Sequence, residues 1–181
     1  YTGKVARDPN GEFYRQDMIA AGVHFDVRPA PEESKPTGSC LVLTTPDAER
    51  TMCTHLGVST ELSPNDIDVD QLKRCKYAYI EGYLWDCPQP RAASLTVMEH
   101  SKRNGVRVSL TFSDPFLMDR FGDDFRRIAK EYCDVVFCNA DEVRQFAQVT
   151  DLQDAARVIG EMVELAFVTD GPNGCLVVHE G

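Results

Sequence analysis

Basic residues are scarce. Nineteen Lys and Arg stand against 29 Asp and Glu in 181 residues, giving a formal net charge of −10. That balance argues against non-specific nucleic-acid binding and against adhesion to an anionic membrane. It leaves room for a phosphate ligand, because a few backbone N–H groups at a loop outweigh net charge locally. No run of 18 apolar residues occurs, so nothing reads as a membrane span. The opening residues, Tyr1 to Asp8, hold no apolar core of a signal peptide, and Tyr rather than Met comes first, which reads as a processed or excerpted chain. There is no CxxC, and the four histidines (His24, His55, His100, His179) show neither HxH nor HxxxH spacing, which argues against a structural zinc site. The seven cysteines are odd in number and read as reduced thiols in a cytosol, most of them buried and inert. GxxxxGK[ST] and GxGxxG are both missing, which excludes a Walker-type loop and a dinucleotide fingerprint. There is no internal repeat and no low-complexity tract.

What is present is ordinary globular composition, 43% hydrophobic and 27% charged, with enough chain for one domain and a sizeable core. Tyr14, Met18 and Ala21 recur at helical spacing before Gly22, which sits where a helix-terminating glycine would. The segment from Pro29 to Pro36 can be neither helix nor central strand. Residues 38–45 and 49–56, joined by Pro46-Asp47-Ala48, read as a β-hairpin. Ser63-Pro64 opens a short helix expected to run to about Arg74. From Tyr77 onward, strands at 77–80, 106–112, 135–138 and 165–169 alternate with helices at 90–103, after Asp114-Pro115, after Asn139 and after Asp151, and a strand at 175–179 closes the pattern. The middle strands are near-continuous apolar runs, as when both faces of a sheet are covered. Such alternation predicts an α/β sandwich with a mostly parallel sheet and right-handed crossovers.

In an open parallel sheet, ligands bind beyond the carboxyl ends of the strands. Four strands here end in polar or glycine-containing turns: Glu81-Gly82, Ser113-Asp114, Asn139 with Glu142 three residues on, and Thr169 to Gly174. Each has two readings. Asn139-x-x-Glu142 is a capping box, or an amide and a carboxylate that handle Mg2+ and phosphate at a helix N-terminus. Asp114-Pro115 is an ordinary N-cap pair or a site carboxylate. Glu81 ends a buried strand, where a carboxylate is costly without a partner. Thr169-x-Gly171-x-x-Gly174 is a hairpin turn, or a loop whose glycines let a nucleotide approach the backbone. Trp85, the single tryptophan, is a packing residue or a stacking surface.

Taken together these segments resemble the ribokinase-like (PfkB) carbohydrate kinases, and Tyr79 to Asp86 is most similar to their adenosine-kinase-like branch. Gly3-Lys4-Val5-Ala6-Arg7-Asp8 resembles the family's GKVGDD turn, with Ala6 and Arg7 replacing Gly-Asp. Pro36-Thr37-Gly38 with Asp47-Ala48-Glu49-Arg50 resembles its lid hairpin, Ala48 replacing the glycine of DGER. Asn139-Ala140-Asp141-Glu142 matches NxxE, and Thr169 to Gly174 matches TxGxxG. The resemblance runs over the whole chain. It implies a three-layer α/β sandwich forming one partial domain over 1–181, with a lid at about 36–57. It implies a kinase that moves the ATP γ-phosphoryl group to a hydroxyl of a sugar or nucleoside. Asn139 and Glu142 would hold Mg2+–phosphate, Glu142 through water. Thr169, Gly171 and Gly174 would line the nucleotide, and Glu81, Asp114 and Arg50 would serve the acceptor side. The family's N-terminal substrate segment would precede Tyr1. Its GAGD motif, with the catalytic base, would follow Gly181, so these 181 residues alone would be inactive. A cytoplasmic location, a small-molecule partner with neither nucleic acid nor membrane, and a homodimer through the lid are also implied. The alternatives are a non-catalytic nucleotide- or sugar-binding sensor of the same fold, and a structural or oligomerisation domain.

Overall fold

The computed structural model describes residues 1–31 and 33–179. The chain divides into two compact units, Tyr1–Ile67 and Asp68–Gly181.

In the first unit, helix α1 (Pro9–Ala20) starts at Asp8, whose Oδ1 accepts the Gly11 N–H at 2.8 Å. The same carboxylate accepts the Thr37 N–H on Oδ2 (2.8 Å) and the Thr37 hydroxyl on Oδ1 (2.7 Å). Thr37 Oγ1 accepts from the Ala6 N–H at 2.9 Å, so Asp8 ties the first turn to the root of the hairpin. The Thr37 and Gly11 N–H bonds lower the Asp8 pKa from the ordinary aspartate value. The helical stripe is only partly used: Tyr14 packs edge-on against the buried Phe25, with ring centroids 5.6 Å apart, while Phe13 and Ile19 are exposed. Strands β1 (Ser39–Thr44) and β2 (Arg50–His55) form the expected antiparallel hairpin, with Thr44 opposite Arg50. Both strands are exposed along their whole length, including Leu41, Leu43 and Met52. Gly57 closes the hairpin root at φ +54, where a Cβ would lie 2.1 Å from the Pro36 carbonyl oxygen. No other residue fits that crossing.

The helix expected over Ser63 to Arg74 is two pieces. A 3-10 turn at Pro64–Asp66 ends as Ile67 takes an extended conformation, and a four-residue helix α2 (Val69–Leu72) restarts at Asp68. Asp68 Oδ1 accepts the N–H groups of Asp70 and Gln71, so a second cap competes with continuation of the first.

The second unit holds a five-stranded sheet in the order β3 (Tyr77–Glu81), β4 (Arg107–Thr111), β5 (Val135–Asn139), β6 (Leu165–Thr169), β7 (Cys175–His179). The first four strands are parallel and β7 is antiparallel to β6. Helices α3 (Pro88–Asn104), α4 (Pro115–Tyr132), α5 (Ala140–Ala147) and α6 (Leu152–Gly160) supply the crossovers. Their apolar faces (Met98, Phe125, Ile128, Val143, Phe146, Ile159) pack on the inward strand residues Ile80, Leu110, Val136 and Val168. The inward residues alternate with Tyr79, Phe137 and Val177, which are exposed. The parallel strands and crossovers agree with the sequence pattern and with an α/β sandwich. Among the described residues the helices cover one face of the sheet, and aromatic residues on the other stack on each other, Phe137 on Phe167 at 5.1 Å.

The cysteines also differ from expectation. Cys133 and Cys138 are buried, Cys87 is intermediate, and Cys40, Cys53, Cys75 and Cys175 are exposed. Burial pushes the Cys133 thiol up to about 12 and the Cys138 thiol higher. Thiolates are the reactive species. In the native protein at pH 8, Cys133 and Cys138 are therefore expected to escape a maleimide or disulfide reagent until the fold is disrupted, as read by mass spectrometry of labelled peptides.

Candidate functional site

The four parallel strands end on one margin of the sheet. Glu81 is in register with Thr111 and Asn139 with Thr169, and the Phe112 N–H donates to the Phe137 carbonyl at 3.0 Å. Glu81, Asp114, Asn139, Glu142 and the loop 169–174 therefore share a rim.

Asn139 and Glu142 form a complete capping box. The Glu142 N–H donates to Asn139 Oδ1 (2.8 Å), and the Asn139 N–H donates back to Glu142 Oε2 (3.0 Å). A third bond, from Asn139 Nδ2 to Glu142 Oε1 at 2.8 Å, goes beyond what a cap requires. Glu142 is 5% exposed, deep for a carboxylate in a first helical turn. Burial, and then the charges of Asp114 and Asp141, push its pKa up against the Asn139 N–H bond.

Asp114 caps α4 through Oδ1, which accepts the Phe116 N–H at 3.0 Å, and its Oδ2 accepts the Tyr83 hydroxyl at 3.4 Å. Thr169 Oγ1 donates to the Cys138 carbonyl at 3.4 Å. Beyond it, Gly171 (φ +51) and Gly174 (φ +103) bracket a 3-10 turn with open space where a Cβ would point, so backbone there is accessible to a ligand. Arg50 lies in the first unit, exposed on β2, and is not among the groups that the sheet gathers.

Trp85 is fully buried. Its Nε1 donates to Asp124 Oδ2 at 3.2 Å and its ring packs against Phe125, so it is a packing residue and not a stacking surface. No local sequence signal marks Tyr83 at the rim, the Trp85–Asp124 bond or the Asp8–Thr37 clamp. Each joins residues some 30 to 40 positions apart.

Among the described residues, no group of three or more His, Cys, Asp or Glu could hold a metal ion by itself. No helix among the described residues is long and apolar enough to cross a membrane.

A parallel sheet whose carboxyl ends gather an amide–carboxylate pair, a second carboxylate and a glycine loop defines an α/β protein, the class in which ligands bind beyond the strand ends. The model of the pfkB family carbohydrate kinases matches residues 1–181, and the chain belongs to that family. It is 29% identical over 192 residues to adenosine kinase 2 of Arabidopsis thaliana, covering 100% of this chain and 52% of that protein. The solved adenosine kinase from Sinorhizobium meliloti superimposes with a TM-score of 0.94 at 34% identity, covering 100% of this chain and 55% of that one. A probable sugar kinase from Rhizobium etli gives the same TM-score and identity, 0.94 and 34%, over 99% and 55%. The chain thus spans about half the length of these relatives.

Proposed function

We propose that the complete protein is an ATP-dependent kinase that phosphorylates a hydroxyl of a nucleoside or sugar, and that the rim of the parallel sheet is its phosphoryl-transfer site. The observation that carries this is the shared margin of Glu81, Asp114, Asn139–Glu142 and Thr169–Gly174 in a chain that resembles an adenosine kinase over its full length.

Asn139 and Glu142 would hold Mg2+–phosphate, Glu142 through water, and the chemistry such an ion would supply there is positive charge beside the phosphoryl oxygens. Thr169, Gly171 and Gly174 line the nucleotide with backbone that no Cβ obstructs. Glu81 and Asp114 face the acceptor, and Arg50 on the hairpin supplies a cation for an anionic group. The hairpin acts as a lid that excludes water on closure, and its exposed apolar strands are also where two subunits would pair. None of these residues is assigned the role of proton acceptor, and the protein works in the cytosol. Positioning and electrostatics carry such a reaction, which agrees with a rim of polar groups.

The test is ADP release by the complete polypeptide with Mg2+, ATP and a panel of adenosine, other nucleosides and sugars. Turnover that requires an acceptor is expected, and none from the 181 residues alone. A thermal shift with ATP or adenosine but no turnover of the full-length protein would favour a sensor. Neither shift nor turnover would favour a structural role.

A further inference from the structure

The turn after β3 is held from two sides, with Gly82 and Trp85 buried and Tyr83 left exposed. From behind, the Trp85 carbonyl accepts Arg91 Nε (2.9 Å) and Nη2 (2.6 Å), and Arg91 stacks over Phe121 at 4.5 Å. Trp85 Nε1 is anchored on Asp124, and Asp86 is paired with Arg120. From the side, Gly82 lies against β4 so closely that a Cβ would be 2.5 Å from the Phe112 oxygen. These contacts present Tyr83 at the rim. Its ring is half exposed and rests on Phe116, with centroids 6.4 Å apart.

Asp114 is held from the other side. Its N–H donates to the Phe112 carbonyl two residues back at 2.9 Å, which closes a γ-turn with Ser113 at φ +72. That turn is rare and strained for a residue with a Cβ, and such strain persists only where surrounding structure enforces it. Two rigid segments thus converge on one contact, the Tyr83 hydroxyl on Asp114 Oδ2. Burial and the Asp114 charge raise the Tyr83 pKa, so the phenol remains a donor at neutral pH.

Resting on the phosphoryl-transfer reading above, we propose that Tyr83 is a positioning residue: through its hydrogen bond it fixes the Asp114 carboxylate on the acceptor side of the rim, where Glu81 and Glu142 are its neighbours. Tyr83 touches no reacting atom in this scheme and acts through Asp114.

The experiment uses the full-length protein and the variants Y83F, D114N and Y83F/D114N. Phenylalanine keeps the ring on Phe116, and asparagine keeps the α4 cap. Y83F is expected to lower kcat roughly 3- to 10-fold, the range of a typical net hydrogen bond, which is what a bond to a carboxylate supplies at the long separation of 3.4 Å, with KM for ATP and the melting temperature unchanged. On the D114N background it is expected to add nothing. Unchanged kcat in Y83F, or independent effects that multiply in the double variant, would overturn the proposal. A readout without activity is 19F NMR of protein labelled with 3-fluorotyrosine, the Tyr83 resonance being assigned by its loss in Y83F. That resonance is expected to move in D114N, and a stationary one would overturn the proposal. A moving resonance in a protein that turns over no acceptor would support the Tyr83–Asp114 link and count against the phosphoryl-transfer reading alone.

Discussion

Glu142→Gln in the complete protein is expected to lower Mg2+-dependent turnover roughly 10- to 100-fold, the usual cost of losing a group that orients a metal site, while the fold survives. Glutamine is isosteric and still serves a capping box. It loses one of the two acceptor oxygens that Asn139 uses, at about 1 kcal/mol. Against that, it removes a carboxylate that burial and the charges of Asp114 and Asp141 disfavour. The sign of the pH effect follows from a raised pKa. The folded state binds the Glu142 proton more tightly than the unfolded state, so the wild type is penalised above the folded pKa and relieved as the pH falls through it. The melting temperature of the variant relative to the wild type should therefore be highest at neutral pH and fall as the pH drops. Steady-state kinetics and melting curves from pH 4 to pH 8 check both halves. A marked fall in melting temperature with normal turnover would reduce Asn139–Glu142 to a helix cap.

Gly82→Ala should be the most destabilising single methyl in the second unit. The added carbon would sit 2.5 Å from the Phe112 oxygen and 2.8 Å from the Thr111 oxygen. Both are backbone atoms at the end of β4, and neither can rotate away as a side-chain tip would. Relief requires moving the turn at Gly82–Asp86 off the strand, against the anchors on Trp85 and Asp86. A loss of roughly 3 kcal/mol is expected, typical of overpacking against unyielding structure, or on the order of 5 °C in melting temperature. Gly105→Ala is the control. Gly105 terminates α3 at φ +69 with nothing within 4 Å of a Cβ, so its substitution costs only backbone strain, about 1 kcal/mol. Equal losses at the two glycines would show that the β3–β4 approach is looser than described.

The elements that were legible in the sequence are those written locally. Asp114, Asn139 and Asp151 announced their helices and cap them, and Gly105 ends α3 in the left-handed conformation expected of it. The strand ends are legible because apolar runs stop at polar residues, and this places Glu81, Asp114, Asn139 and Thr169 on one margin from the sequence alone. What was not legible depends on distant partners. Trp85 and Asp124 are 39 residues apart, and nothing near either one signals the other. The positive φ of Ser113 carries no glycine or asparagine to advertise it. Exposure failed for a related reason. The buried habit of cysteine is an average that Cys40 and Cys53, on an exposed hairpin, do not follow.

The most direct test is amide chemical-shift mapping of the complete polypeptide during titration with Mg2+–ADP. The site described here requires the largest changes at Asn139 to Glu142 and Thr169 to Gly174. Saturable binding that leaves those amides unmoved, with the changes gathered elsewhere on the protein, would contradict it.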